Sequence, residues 1–163
     1  MSDGPVNVED LEWTSYDHGD RAFERKQIGA AAGGEDLGAS LYAVPAGKRL
    51  WLRHYHEGNE EAIFVREGGG TLWLGPDADE HPLAPGDYVA LPAGEEGTHE
   101  IEAGEQGLEL LMVSTMEDPD ITVYPDREMV GLYSGAAPGG DSEDRRLSTY
   151  LDATAELDYW DEE

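Results

Sequence analysis

The chain contains no cysteine. Disulfides, thiolate metal ligands and cysteine nucleophiles are therefore excluded. It is also poor in positive charge. Ten basic residues, only two of them lysines (Lys26 and Lys48), face 37 acidic ones, giving a formal net charge of −27. Such a surface repels nucleic acid and anionic membranes, and no basic stripe offsets it: adjacent basic residues occur only as the pairs Arg25-Lys26, Lys48-Arg49 and Arg145-Arg146. Long apolar runs are missing too. Runs such as Leu110–Val113, which none exceeds by more than a residue or two, are far too short to span a bilayer. The start of the chain, Met1 to Pro5, has neither the basic nor the apolar region of a secretory signal. The expectation is a soluble, cytoplasmic protein that binds neither nucleic acid nor membrane.

Acidity on this scale invites a reading of disorder. Four Trp, eight Tyr and several apolar runs argue instead for a folded domain with a heavily hydrated surface. This composition fits a high-salt cytoplasm, where salt screens self-repulsion. A length of 163 residues suits one domain with one core.

Helical periodicity is scarce. Short apolar segments punctuated by Gly and Pro predict strands near 21–29, 38–44, 49–56, 61–67, 70–75, 87–91, 98–102, 107–115 and 121–124. Close spacing and turn-rich connections point to an all-β sandwich or barrel. The division expected is an acidic arm over 1–20, a barrel over 21–133, and an acidic loop and tail over 134–163.

Three of the five histidines carry a pattern. Residues two apart on a strand share a face. Over 49–56, that rule groups His54 and His56 with Leu50 and Leu52, and sets Trp51, Arg53 and Tyr55 on the other side. The leucine face is the expected interior. On the next strand, Glu61 shares its face with Ile63 and Val65, whereas Glu60 faces out. Parity favours Glu61 over Glu60, although a bulge at the strand start would reverse the assignment. His99 shares a face with Ile101. Buried imidazoles and a buried carboxylate are costly without a partner. One divalent ion pairs with all four, and the donor set suits Zn, Fe, Mn, Ni, Co or Cu rather than Ca or Mg. His18 and His81 read as surface residues, and Gly68-Gly69-Gly70 as a turn rather than a phosphate loop.

In these residues the chain resembles the cupin superfamily. The first cupin motif is matched by Gly47, His54, His56, Glu61 and Gly68, with six residues rather than five between Gly47 and His54. The second is matched by Gly86, Pro92, Gly94 and His99. There, four residues rather than two separate Gly94 from His99, and Ala103 replaces the motif's Asn. The resemblance spans roughly 38–116 and is similar to single-domain cupin 2 conserved barrel proteins. It implies a jelly-roll barrel with His54, His56, Glu61 and His99 as metal ligands, and a homodimer. Outward Trp51, Tyr55, Phe64 and Trp73 would suit a dimer face. It also implies a metal-dependent enzyme acting on a small molecule by isomerase- or oxygenase-type chemistry, or alternatively a non-catalytic ligand or metal sensor. A phosphorylated substrate would want cations inside the barrel. Only Arg53 and Arg66 lie near, both with outward parity, which weighs against one.

Overall fold

The computed structural model describes residues 4–160. Eleven strands follow in order: β1 (Thr14–His18), β2 (Arg21–Gln27), β3 (Leu37–Val44), β4 (Tyr55–His56), β5 (Glu61–Leu74), β6 (Asp79–Leu83), β7 (Tyr88–Leu91), β8 (His99–Thr115), β9 (Asp120–Tyr124), β10 (Met129–Ser134) and β11 (Leu147–Asp152). One short helix, α1 (Ile28–Ala31), links β2 to β3. The strands form two antiparallel sheets. One runs β1-β2-β3-β8-β5-β6 with β7 also on β5, and the other runs β11-β10-β9-β4. The fold is the all-β cupin-type barrel.

The long pair β5–β8 is the spine. Its inward residues Ile63, Val65 and Leu110 have no exposed surface, and Leu72 and Ile101 have almost none. Burial at these positions supplies the main drive for closing the barrel, at about 1.5–3 kcal/mol per large apolar side chain. The segments expected at 61–67 and 70–75 are one continuous strand. Irregularities in register fall between Val65 and Glu67 and between Gly68 and Gly70. Gly68 has φ +74°, and a Cβ there would run into the carbonyl of Gly107 on β8. The Gly run thus lets a bent strand lie against its neighbour.

The strand expected over 49–56 is largely irregular. Arg49 bridges Arg21 and Glu102, His54 bridges His99, and only Tyr55–His56 pairs as a strand, with β9. This segment crosses from one sheet to the other and so stitches them together. Trp51 does not face outward as parity suggested. It packs among Tyr16, Phe23 and Tyr42, with its ring centroid 4.5 Å from that of Phe23, and its Nε1 donates to the Tyr42 hydroxyl at 3.2 Å. The reason is that β1 and β2 extend the sheet past Trp51. Both flanks contribute pairing: β1 joins β2, and β11 joins β10. No helix among the described residues is long and apolar enough to cross a membrane.

Candidate metal centre

The crossing segment brings two histidines against the start of β8. His54 and His99 form a closed backbone pair, with His54 N–H donating to His99 C=O at 3.2 Å and the reverse bond at 2.9 Å. Their rings stand 4.6 Å apart, centre to centre, and those of His54 and His56 stand 5.1 Å apart. Glu61 opens β5 and points inward, while Glu60 is exposed. All four residues named from the sequence therefore meet in one place. His54, Glu61 and His99 each offer a ligand atom within 4.8 Å of the other two. The Nε2 of His56 lies 3.6 Å from Glu61 Oε2, and that of His99 lies 3.5 Å from it.

Each ring is fixed from behind. His54 Nδ1 donates to Leu52 C=O at 2.6 Å and His99 Nδ1 to Gly97 C=O at 2.9 Å. His56 Nδ1 lies 2.6 Å from Asp120 Oδ2 and 3.2 Å from Thr122 Oγ1. With Nδ1 used as a donor, the neutral tautomer leaves each Nε2 with a lone pair, and those of His56 and His99 face Glu61. Glu61 Oε2 and His99 Nε2 are buried without a hydrogen-bond partner. Native interiors seldom leave such atoms unpaired. A nitrogen-and-carboxylate donor set with orphaned lone pairs fits a divalent transition ion.

Electrostatics separate the histidines. Burial, reinforced by His99 and His56, holds His54 well below the usual imidazole range. Burial likewise lowers His99, although Glu61 opposes the shift. Burial also pulls His56 down, but the Asp120 hydrogen bond and the charges of Glu61 and Asp120 outweigh it and raise the net value.

The extra residues before His99 are taken up by a short 3₁₀ turn, Glu95–Gly97. Thr98 Oγ1 closes this turn on Glu95 C=O at 2.6 Å. A Cβ on Gly97 would collide with the carbonyl of Pro92, so the turn that presents a carbonyl to His99 needs glycine.

Sequence reasoning did not single out Asp120. It is 2% exposed, and its other oxygen accepts Gly58 N–H at 3.0 Å. Tyr124 was missed as well; its ring lies 5.7 Å from the His54 ring at a 29° tilt. His81 sits on β6, exposed and away from the site.

A cavity of about 640 Å³ opens over His54, His56 and Glu61. Its far wall includes Tyr124, Tyr133 and Tyr150 from the second sheet. Arg53 and Arg66 do face away from it: Arg53 pairs with Asp126 at 2.9 Å and Arg66 with Glu109 at 3.0 Å. The expectation that the interior lacks cations nevertheless fails. Arg21, Arg25, Arg127 and Arg145 line the cavity, delivered by β2 and by two connections beyond the motif region.

Residues 40–114 match the family model described as the cupin domain. No curated protein matches the chain. Among solved structures, it is similar to a putative sugar phosphate isomerase from Acidithiobacillus ferrooxidans. Identity is 24% and the TM-score 0.74, over 92% of this chain and 90% of that one. It is equally similar to a cupin superfamily sugar phosphate isomerase from Silicibacter pomeroyi, with 24% identity and a TM-score of 0.74 over 91% and 92% of the two chains. KdgF from Halomonas sp. aligns with 20% identity and a TM-score of 0.58, over 69% of this chain and 94% of that one. The two isomerase-like structures thus share the flanking strands as well as the central barrel.

Proposed function

We propose, from the cupin match over residues 40–114, that the chain is a metal-dependent enzyme acting on a small hydroxycarbonyl compound by isomerase-type chemistry. His54, His56, Glu61 and His99 hold one divalent transition ion. The observation that carries this reading is the orphaned pair of lone pairs, Glu61 Oε2 and His99 Nε2, in a group of imidazoles whose other nitrogens are already committed. An ion bound there supplies Lewis acidity toward a substrate oxygen.

The chain's own groups do the rest. Asp120, the Leu52 carbonyl and the Gly97 carbonyl orient the rings. Burial and Tyr150 push the Tyr124 phenol up to about 12, so it stays protonated beside His54, hydrogen-bonded within a group with Tyr133 and Tyr150. The tyrosine and arginine lining suits a polar, oxygen-rich substrate. The isomerase descriptions of two structural neighbours support this direction. The same donor set also serves oxygen chemistry, and the identity of the metal separates the two.

We also infer a homodimer in a high-salt cytoplasm. Exposed Ile121, Leu147 and Leu151 on the second sheet offer a contact face, and light scattering at the monomer mass of 17.8 kDa would refute it.

The test is elemental mass spectrometry on protein purified in high salt without chelator. About one equivalent of transition metal per chain is expected. Mn, Zn, Ni or Co would favour isomerisation, and Fe or Cu would turn the assignment to oxygen chemistry. His54→Ala and His99→Ala lose the ion, and His81→Ala keeps it. Protein that refuses every added divalent ion sinks the proposal and leaves a non-catalytic binding barrel.

A further inference from the structure

The cavity inverts the charge of the molecule around it. Among the described residues, the acids that line it are Asp20 and Glu61 alone, against four arginines. Glu61 belongs to the ligand group. Arg21 is neutralised by Glu100 at 2.6 Å. Arg127 is exposed at the rim.

Arg25 and Arg145 are different. Both are half-buried, and neither has a carboxylate partner among the described residues. Every contact that fixes them is neutral. Arg25 Nε donates to Ser40 Oγ at 3.0 Å and its Nη2 to Gly139 C=O at 3.3 Å, with the guanidinium 5.7 Å from the Tyr42 ring. Arg145 Nη2 donates to Pro138 C=O at 2.6 Å and to Ala137 C=O at 3.4 Å, with the guanidinium 5.3 Å from the Tyr133 ring. Its Nε is buried with no partner at all. Two like charges are thus drawn onto one loop, residues 137–139, by carbonyls that position them without cancelling either. Carboxylates are plentiful in this chain, so leaving two partly desolvated guanidiniums unpaired is costly unless an anion completes them. Guanidinium forks are well matched to phosphate and carboxylate oxygens.

We propose that Arg25 and Arg145, held by the 137–139 loop, form an anion subsite of this cavity that binds a phosphate or carboxylate group of the substrate. The identification of that anion as part of a substrate rests on the enzyme reading above; anion binding itself does not require the metal.

The test is isothermal titration of inorganic phosphate, with acetate as a second arm, at constant ionic strength. It uses the protein as purified and again after chelation. About one anion per chain is expected in both states, and the tighter arm names the substrate's charged group. Arg25→Gln and Arg145→Gln should each weaken binding at least tenfold, with circular dichroism and metal content unchanged. Undiminished binding in either variant overturns the subsite. So does binding that vanishes on chelation, because the anion would then sit on the metal. Should the variants fail to fold, thermal melts of the wild type decide. A rise in Tm with phosphate or acetate beyond that given by equal chloride supports the subsite, and no rise overturns it. A chain that takes up no metal but still binds the anion would sink only the enzyme reading.

Discussion

At the scale of single residues, Asp120 has the most leverage relative to its visibility. It fixes the His56 tautomer and raises its proton affinity at once. Metal binding must displace that proton, so below the raised His56 value the affinity of the wild type falls about tenfold per pH unit. Asp120→Asn removes the carboxylate's charge but not its shape. The plateau affinity should drop roughly 10–100-fold, and the acid limb should move to lower pH, because burial then opposes Glu61 alone. Competition titration against a chromophoric chelator across pH 5 to 8 reads both effects; an unmoved limb would mean that Asp120 does not control His56. The four candidate ligands were legible because His54 and His56 stand two apart on one face and all four fall at motif positions. Asp120 was not, since it lies 64 residues from His56 on a strand with no motif. Arg25 and Arg145 escaped for a related reason. Each reaches the cavity from a flank, Arg25 on the strand expected near 21–29 and Arg145 on the connection before β11, whereas Arg53 and Arg66 lie beside the motifs.

At the scale of elements, the strands with inward apolar residues were readable and the amphipathic ones were not. β5 and β8 announce themselves through Ile63, Val65, Ile101 and Leu110. β6 carries Pro82, which suits only an edge, and β1 has no buried residue. β10 and β11 lay beyond the last strand expected, although Tyr133 is buried and Gly131 pairs directly with Tyr150. The turn before His99 is the element most exposed to test. Gly97→Ala forces a Cβ against the Pro92 carbonyl. A loss of about 1–3 kcal/mol in stability is expected, together with weaker metal retention, because the carbonyl that holds His99 moves with the turn. Unfolding by urea and metal content after dialysis measure the two losses. Stability lost with metal retention intact would show that the turn does not orient His99.

At the scale of the whole molecule, charge dominates. Twenty-seven uncompensated negative charges on a chain of 17.8 kDa repel one another across the surface. Raising salt from about 0.1 M to about 1 M shortens the screening length from roughly 10 Å to roughly 3 Å. The expected gain is about 2 kcal/mol, or roughly 4–8 °C in Tm. A melting temperature independent of potassium chloride would remove the case for a high-salt habitat. The layout of the cavity has a temporal side as well. The candidate metal ligands lie between His54 and His99, with Asp120 behind His56, whereas Tyr133, Arg145 and Tyr150 of the opposite wall come later in the chain. On a ribosome the floor of the pocket emerges before the wall that closes over it. On the proposed metal-binding reading, the nascent chain would therefore capture its ion while the mouth still stands wide open, and the last strand to arrive, β11, would narrow the exit behind it.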